Sequence, residues 1–129
     1  MSQENVRVVE AAYEVFASSG LEAFTGHWAD EIEWQAMRGR WHGRQAGRAY
    51  MQEWLDLFDD FNTEVVELID APNEQVVTYL RYSGRAKRSG MEVPPEYFAI
   101  VIEVRDGKIA RAQEYATHAE ALEAVGLRE

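Results

Sequence analysis

Glu114 is the side chain in this sequence best placed to move a proton. It sits in Gln113-Glu114-Tyr115, within a stretch that reads as the last strand. A carboxylate on the concave side of a curved sheet is partly desolvated, its pKa rises toward neutrality, and it then suits a general acid or base. The same glutamate in water, or beside an arginine, is an ordinary surface group. Arg81, in Tyr79-Leu80-Arg81-Tyr82, interrupts an otherwise apolar strand. It could neutralise Glu114 or hold an anionic group of a ligand, and an outer-face arginine in solvent fits the same pattern. A third polar side chain is Tyr13, on the apolar stripe of the first helix. A buried phenol preorganised in a dry site stabilises charge developing on a substrate oxygen by roughly 3 kcal/mol, although a tyrosine on an apolar helical stripe also serves as core with a local hydrogen bond.

Other chemistries have little to stand on. The chain has no cysteine, which excludes thiol catalysis, disulfides and zinc–thiolate or iron–sulfur sites. His27, His42 and His118 are far apart and show no metal-ligand spacing; His42, in Arg40-Trp41-His42-Gly43, is the one expected near a pocket entrance. No glycine-rich phosphate loop follows a strand and no nucleophile elbow is present, so no cofactor and no metal are expected. With 13 Lys+Arg against 23 Asp+Glu, the formal net charge of −10 opposes binding to nucleic acid or an anionic bilayer. The longest apolar runs, such as Tyr97 to Ile102, fall far short of the roughly 20 residues of a membrane span. Ser2-Gln3-Glu4-Asn5 lacks the basic-then-apolar order of a signal peptide, and the expected location is cytoplasmic.

Four arginines, at 38, 40, 44 and 48, form the one basic stretch of the first half, close to Trp34, Trp41 and Tyr50. They could admit a carboxylate-bearing ligand or balance the acidic run from Glu53 to Glu74, which contains no basic residue.

These side chains need elements to hold them. At 129 residues, 47% hydrophobic and 12% aromatic, the chain suits one domain over residues 1–129. Val6, Val9, Tyr13 and Phe16 recur at helical spacing, predicting a helix over about 3–19, with Ser2 as cap and Gly20 as stop. A short helix follows with Leu21, Phe24 and Trp28 on one side. Glu31 to Gln35 alternates as a half-buried strand, and the residues around Trp41 read as a loop. From Arg44 to Phe58 a broad apolar stripe predicts a third helix. Four strands then follow, over about 61–70, 75–87, 91–105 and 108–116. Asp106-Gly107 between the last two is a strong hairpin signal, and Pro94-Pro95 marks a bulge or an edge position. Thr117-His118-Ala119-Glu120 has the form of a capping box, and Gly126 ends a closing helix. The result is α+β: a curved antiparallel sheet packed on three helices of the first half, plus a short C-terminal helix.

The whole chain resembles the SnoaL-like branch of the NTF2-like superfamily. The resemblance is carried by Ala12-Tyr13, Gly20-Leu21, Phe24, Trp28-Ala29-Asp30, Ile32-Glu33-Trp34, Gly43-Arg44, Arg48 and Trp54. Val93, Phe98-Ala99, Arg105-Asp106-Gly107-Lys108-Ile109 and Glu114-Tyr115-Ala116 continue it. It implies a cone-shaped sheet with a pocket between helices and sheet, and a homodimer formed through the sheet's outer face. It also implies a range of activities, from polyketide cyclases and ketosteroid isomerases to proteins without catalysis. Tyr13 falls where ketosteroid isomerases carry an enolate-binding tyrosine, and Glu114 falls in the region where SnoaL-type cyclases place a proton-abstracting carboxylate. Gln35 stands at the isomerase's base position, where an amide cannot serve. The isomerase's second oxyanion acid falls near Ala99 or Ile100, both apolar, and Ile100 also stands where close relatives often carry histidine. An epoxide hydrolase's Asp-Arg-Asp relay has no counterpart around Arg81.

The expected function is binding of a small, largely apolar organic molecule, with cofactor-free isomerase- or cyclase-like proton transfer as its extension. Phe16, Trp28, Trp34, Trp41, Trp54, Phe58, Phe98 and Ile100 are the expected pocket walls. The alternative is a non-catalytic binding or assembly module whose aromatics fill the cavity. A sheet with apolar residues on both of its faces, including Val77, Tyr79, Val101 and Tyr115, is the motive for a homodimer.

Overall fold

The computed structural model describes residues 2–127. In chain order the elements are α1 (Ser2–Ser19), α2 (Leu21–Thr25), β1 (Trp28–Gln35), β2 (Arg40–His42), α3 (Arg44–Leu55), β3 (Phe58–Ala71), β4 (Gln75–Ala86), β5 (Glu92–Arg105), β6 (Lys108–Tyr115) and α4 (His118–Ala124). The α+β architecture is as expected. The capping expected of Ser2 concerns a side chain outside the described ones.

All six strands join one sheet in the order β2-β1-β6-β5-β4-β3. The four strands of the second half are antiparallel neighbours. Asp106 and Gly107 both take positive φ, 53° and 75°, as a two-residue turn matched to the strand twist requires. Two features depart from expectation. Residues 40–42 are not loop but a short strand, β2, pairing antiparallel with β1 through Trp34↔Trp41. β1 also pairs in parallel with β6, aligning Trp34 with Ala112 and Gln35 with Gln113, so the sheet is mixed. No hairpin links β1 to β6; the pairing joins the two ends of the chain's strand sequence.

The third helix stops at Leu55, short of the expected Phe58. Backbone pairing takes over there: Lys87 N–H donates to the Leu57 carbonyl at 2.9 Å, and Phe58 is in register with Ala86 of β4. An apolar stripe that continues past the last helical turn serves the strand equally well. Register shifts bend the sheet: between Asp59 and Asn62 of β3, where Asp60 has a φ of 55°, between Val65 and Glu67, and between Tyr82 and Gly84 of β4 opposite Pro94-Pro95. β6 pairs with β5 only from Ala99 onward. The two prolines therefore occupy both a bulge and a free edge, where their missing N–H groups are not needed.

Each face of the sheet has its own core. On the concave side Ile32, Val76, Leu80, Ile100 and Ile102 pack against Val9 and Ala12 of α1, Phe24 of α2, and Trp28 and Trp34 of β1. Each large side chain buried in this way contributes about 1.5–3 kcal/mol. On the convex side Val77, Ala99 and Val101 lie under Ala121 and Leu122 of α4, a helix capped by Thr117, whose hydroxyl accepts the Glu120 N–H at 3.1 Å. The apolar residues that suggested a homodimer are thus covered, at Val77 and Val101, by the chain's own last helix.

Candidate functional site

Where the sheet bends away from α1 and α3, the core does not close. A cavity of about 230 Å3 remains. Tyr13 and Phe16 of α1 and Tyr50, Met51, Trp54 and Leu55 of α3 form its roof, while Phe61, Thr63, Leu80, Tyr82, Phe98 and Ile100 rise from β3, β4 and β5. Trp34 and Met37 also line it, and among the described residues Glu114 of β6 is its one acidic group. Strand alternation explains the choice: Thr78, Ile100 and Glu114 are aligned across β4, β5 and β6, and side chains in such a row share a face.

Glu114 is partly buried and held by two donors. The Trp34 indole N–H donates to its Oε2 at 2.7 Å, and the Tyr50 hydroxyl donates to Oε2 at 3.0 Å, lying 3.3 Å from Oε1. Burial pushes the carboxyl pKa up, and these two hydrogen bonds, which favour the charged form, oppose the rise. Tyr13 is 6% exposed; burial, and then the charge of Glu114, hold its phenol in the protonated form. Among the described residues the Tyr13 hydroxyl has no hydrogen-bond partner, which leaves its O–H for a guest. Tyr50 is likewise held protonated, by burial, the Glu114 charge and its hydrogen bond.

The raised carboxyl pKa fixes the sign of a stability effect. Between the ordinary value of 4.5 and the higher folded value, the native state binds more protons than the unfolded one, so stability falls as pH rises through that window. Urea denaturation across the weakly acidic range is therefore expected to show wild type losing more stability with rising pH than Glu114→Gln. Parallel slopes would count against a desolvated carboxylate.

Of the expected catalytic residues, Glu114 and Tyr13 come together and Arg81 does not. Arg81 lies between Leu80 and Tyr82, both cavity residues, so strand alternation turns it to the opposite face, where it pairs with Glu64 of β3. Of the expected walls, Phe16, Trp34, Trp54, Phe98 and Ile100 line the cavity. Trp28 is wholly buried behind it. Trp41 stacks on Tyr50 at a centroid distance of 4.0 Å, and Phe58 packs on Trp54 at 5.2 Å; both support wall residues. His42 lies away from the cavity, between Glu31 and Glu33 at 2.9 and 3.3 Å, and its pKa is raised by those hydrogen bonds. The basic stretch is partly used within the fold, but not against the acidic run: Arg44 pairs with Asp30 and Arg48 with Glu22. Sequence reasoning missed Tyr50. Its place four residues before Trp54, on one helical face, was the available signal.

Comparison with known proteins agrees with this architecture. The SnoaL-like domain family matches residues 9–112. Among solved structures, a putative SnoaL-like polyketide cyclase from Jannaschia sp. is similar with a TM-score of 0.78 at 12% identity, over 99% of this chain and 95% of that one. An NTF2-like protein of unknown function from Burkholderia pseudomallei is similar with a TM-score of 0.77 at 19% identity, over 98% and 99%. A hypothetical protein from Catenulispora acidiphila with a ketosteroid isomerase-like fold, in complex with trimethylamine, is similar with a TM-score of 0.73 at 16% identity, over 93% and 92%. No curated protein matches the chain in sequence. At these identities the likeness is one of fold. Among the described residues no helix is long and apolar enough to cross a membrane.

Proposed function

Since the chain belongs to the SnoaL-like domain family, we propose that its pocket binds a small, largely apolar organic molecule and that Glu114 moves a proton on it without a cofactor. The observation that carries this reading is a partly buried carboxylate, fixed by Trp34 and Tyr50, in an aromatic cavity beside a tyrosine hydroxyl with no partner among the described residues. Size narrows the guest. An engineered cavity of about 150 Å3 holds benzene, so a cavity of about 230 Å3 suits one or two rings rather than a four-ring steroid.

The chemistry follows from the groups present. Ionised Glu114 takes a proton from a carbon next to a carbonyl; the C–H electron pair becomes a C=C bond and the carbonyl π pair moves to oxygen, where Tyr13 donates its hydrogen bond. Returning the proton to a different carbon is isomerisation. Attack of the new carbon nucleophile on a second carbonyl is cyclisation.

The test joins binding to exchange. Thermal-shift screening with aromatic ketones and terpenoids of one or two rings is expected to find stabilising ligands. NMR in D2O is expected to show protein-dependent deuterium uptake at the α-carbon of 1-tetralone. No stabilisation by any compound, with exchange no faster than in buffer, would overturn the proposal. A solid, filled pocket would favour an assembly module instead, and the cavity speaks against it.

A further inference from the structure

The electrostatics of the cavity carry a statement about the charge of its guest. Among the described residues no lysine, arginine or histidine lines it, and Glu114 has no ion-pair partner. Its hydrogen-bond capacity is also incompletely used: Oε2 has the Trp34 and Tyr50 donors, while Oε1 has only the longer 3.3 Å approach of that same Tyr50 hydroxyl. A carboxylate offers about four acceptor positions. Around it the wall is largely aromatic, with Tyr13, Phe16, Trp34, Tyr50 and Trp54 from the helical side and β1 alone. Aromatic π-systems attract cations and offer nothing comparable to an anion.

The surroundings have the same sign. A groove between α1 and β3 shares Tyr13 and Thr63 with the cavity and is bordered by Glu10, Glu14, Glu64 and Glu67; Glu64 is paired with Arg81 and Glu67 lies 3.5 Å from His118, so among the described residues Glu10 and Glu14 give the groove its sign. The chain as a whole has a net charge of −10. Such a field draws cations toward the site and repels carboxylates.

We propose that the substrate of this pocket is a nitrogen cation, a protonated imine on a one- or two-ring apolar body, with its charge beside Glu114. The inference rests on the reading of the cavity as a ligand site and narrows its substrate from a carbonyl compound to the nitrogen counterpart, C=N⁺. A protonated imine also makes the proton transfer self-neutralising. Glu114 takes a proton from the carbon next to C=N⁺, the C–H pair becomes the C=C bond, and the C=N π pair passes to nitrogen. A neutral enamine and a neutral carboxylic acid result. With a ketone the negative charge only changes place, from Glu114 to an oxygen that has Tyr13 as its donor. Against a mostly aromatic and aliphatic wall, annihilating two opposite charges is the easier step, since ions are poorly solvated there.

Three probes and one variant test this. 1-Methyl-3,4-dihydroisoquinoline, protonated at neutral pH, is the cation; 1-methyl-3,4-dihydronaphthalene replaces its nitrogen by carbon at nearly the same shape; 1-naphthoate is the anion. Calorimetric titration of the wild-type chain is expected to show the cation at least tenfold tighter than the hydrocarbon and no binding of the anion. In Glu114→Gln the preference for the cation is expected to disappear while hydrocarbon affinity is kept, which also shows that the variant pocket is folded. Hydrocarbon binding equal to or tighter than the cation in wild type, or a cation preference unchanged in the variant, overturns the inference and leaves the ligand-site reading standing. Failure of all three probes to bind removes that reading and the inference with it.

Discussion

Glu114→Gln is expected to lower protein-dependent α-carbon exchange by roughly a hundred- to ten-thousandfold, the usual range for removing a positioned general base. Binding of a neutral ligand should change little. The substitution keeps size and shape and leaves an oxygen to accept from Trp34 and Tyr50, whose hydrogen bonds now hold the carboxylate at 2.7 and 3.0 Å. What it removes is the capacity to take a proton. Tyr13→Phe belongs to the same argument at smaller scale: loss of one donor to developing charge costs about 3 kcal/mol, roughly a hundredfold, and the ring stays against Phe24 at 4.9 Å. Deuterium uptake by NMR, read beside calorimetric affinity for a neutral ligand, separates the two cases. A Glu114→Gln variant with wild-type exchange would mean that the carboxylate only shapes the cavity.

Why Glu114 was legible in sequence and its partners were not follows from chain distance. An acidic residue inside a strand, between Gln113 and Tyr115, announces a group whose face matters, and Tyr13 stands out on its helical stripe. Trp34 and Tyr50, however, lie 80 and 64 positions from Glu114, and no local pattern specifies contacts of that span. Trp34 reaches the carboxylate because β1 pairs in parallel with β6, with Trp34 opposite Ala112, two residues before Glu114. Hairpin signals record antiparallel neighbours and are silent on that pairing. Arg81 shows the same limit in another form. Its type was informative, but its face depends on strand parity, which is fixed by register and by bulges such as those at Asp59/Asn62 and Val65/Glu67; one residue of slip would have sent it into the cavity. The order of most elements was readable because it needs only periodicity, caps and turns. The site needed the register.

Trp28 carries the largest expected effect on stability. The sequence suggested it as a ligand contact, whereas the structure places it fully buried behind the cavity, between Phe24 of α2 at 5.5 Å and Trp34 of β1 at 5.4 Å. α3 comes close over it at Gly47, where an added Cβ would lie 3.1 Å from the Trp28 ring. Truncating a core tryptophan removes its transfer free energy and leaves a void that packed neighbours fill only in part, so Trp28→Ala is expected to cost about 3–5 kcal/mol. Because Trp34 leans on that ring and also donates to Glu114, the variant should lose ligand affinity along with stability. Trp28→Phe is the informative companion. The Trp28 indole N–H is buried without a hydrogen-bond partner among the described residues, so phenylalanine removes an unpaired donor as well as volume, and its penalty should be well below that of alanine. Urea melts of the three proteins give the order directly: wild type, then Trp28→Phe close behind, then Trp28→Ala. A Trp28→Ala midpoint indistinguishable from wild type would show that this ring does not brace the junction of α2, α3 and β1, and would reopen its assignment as a ligand contact.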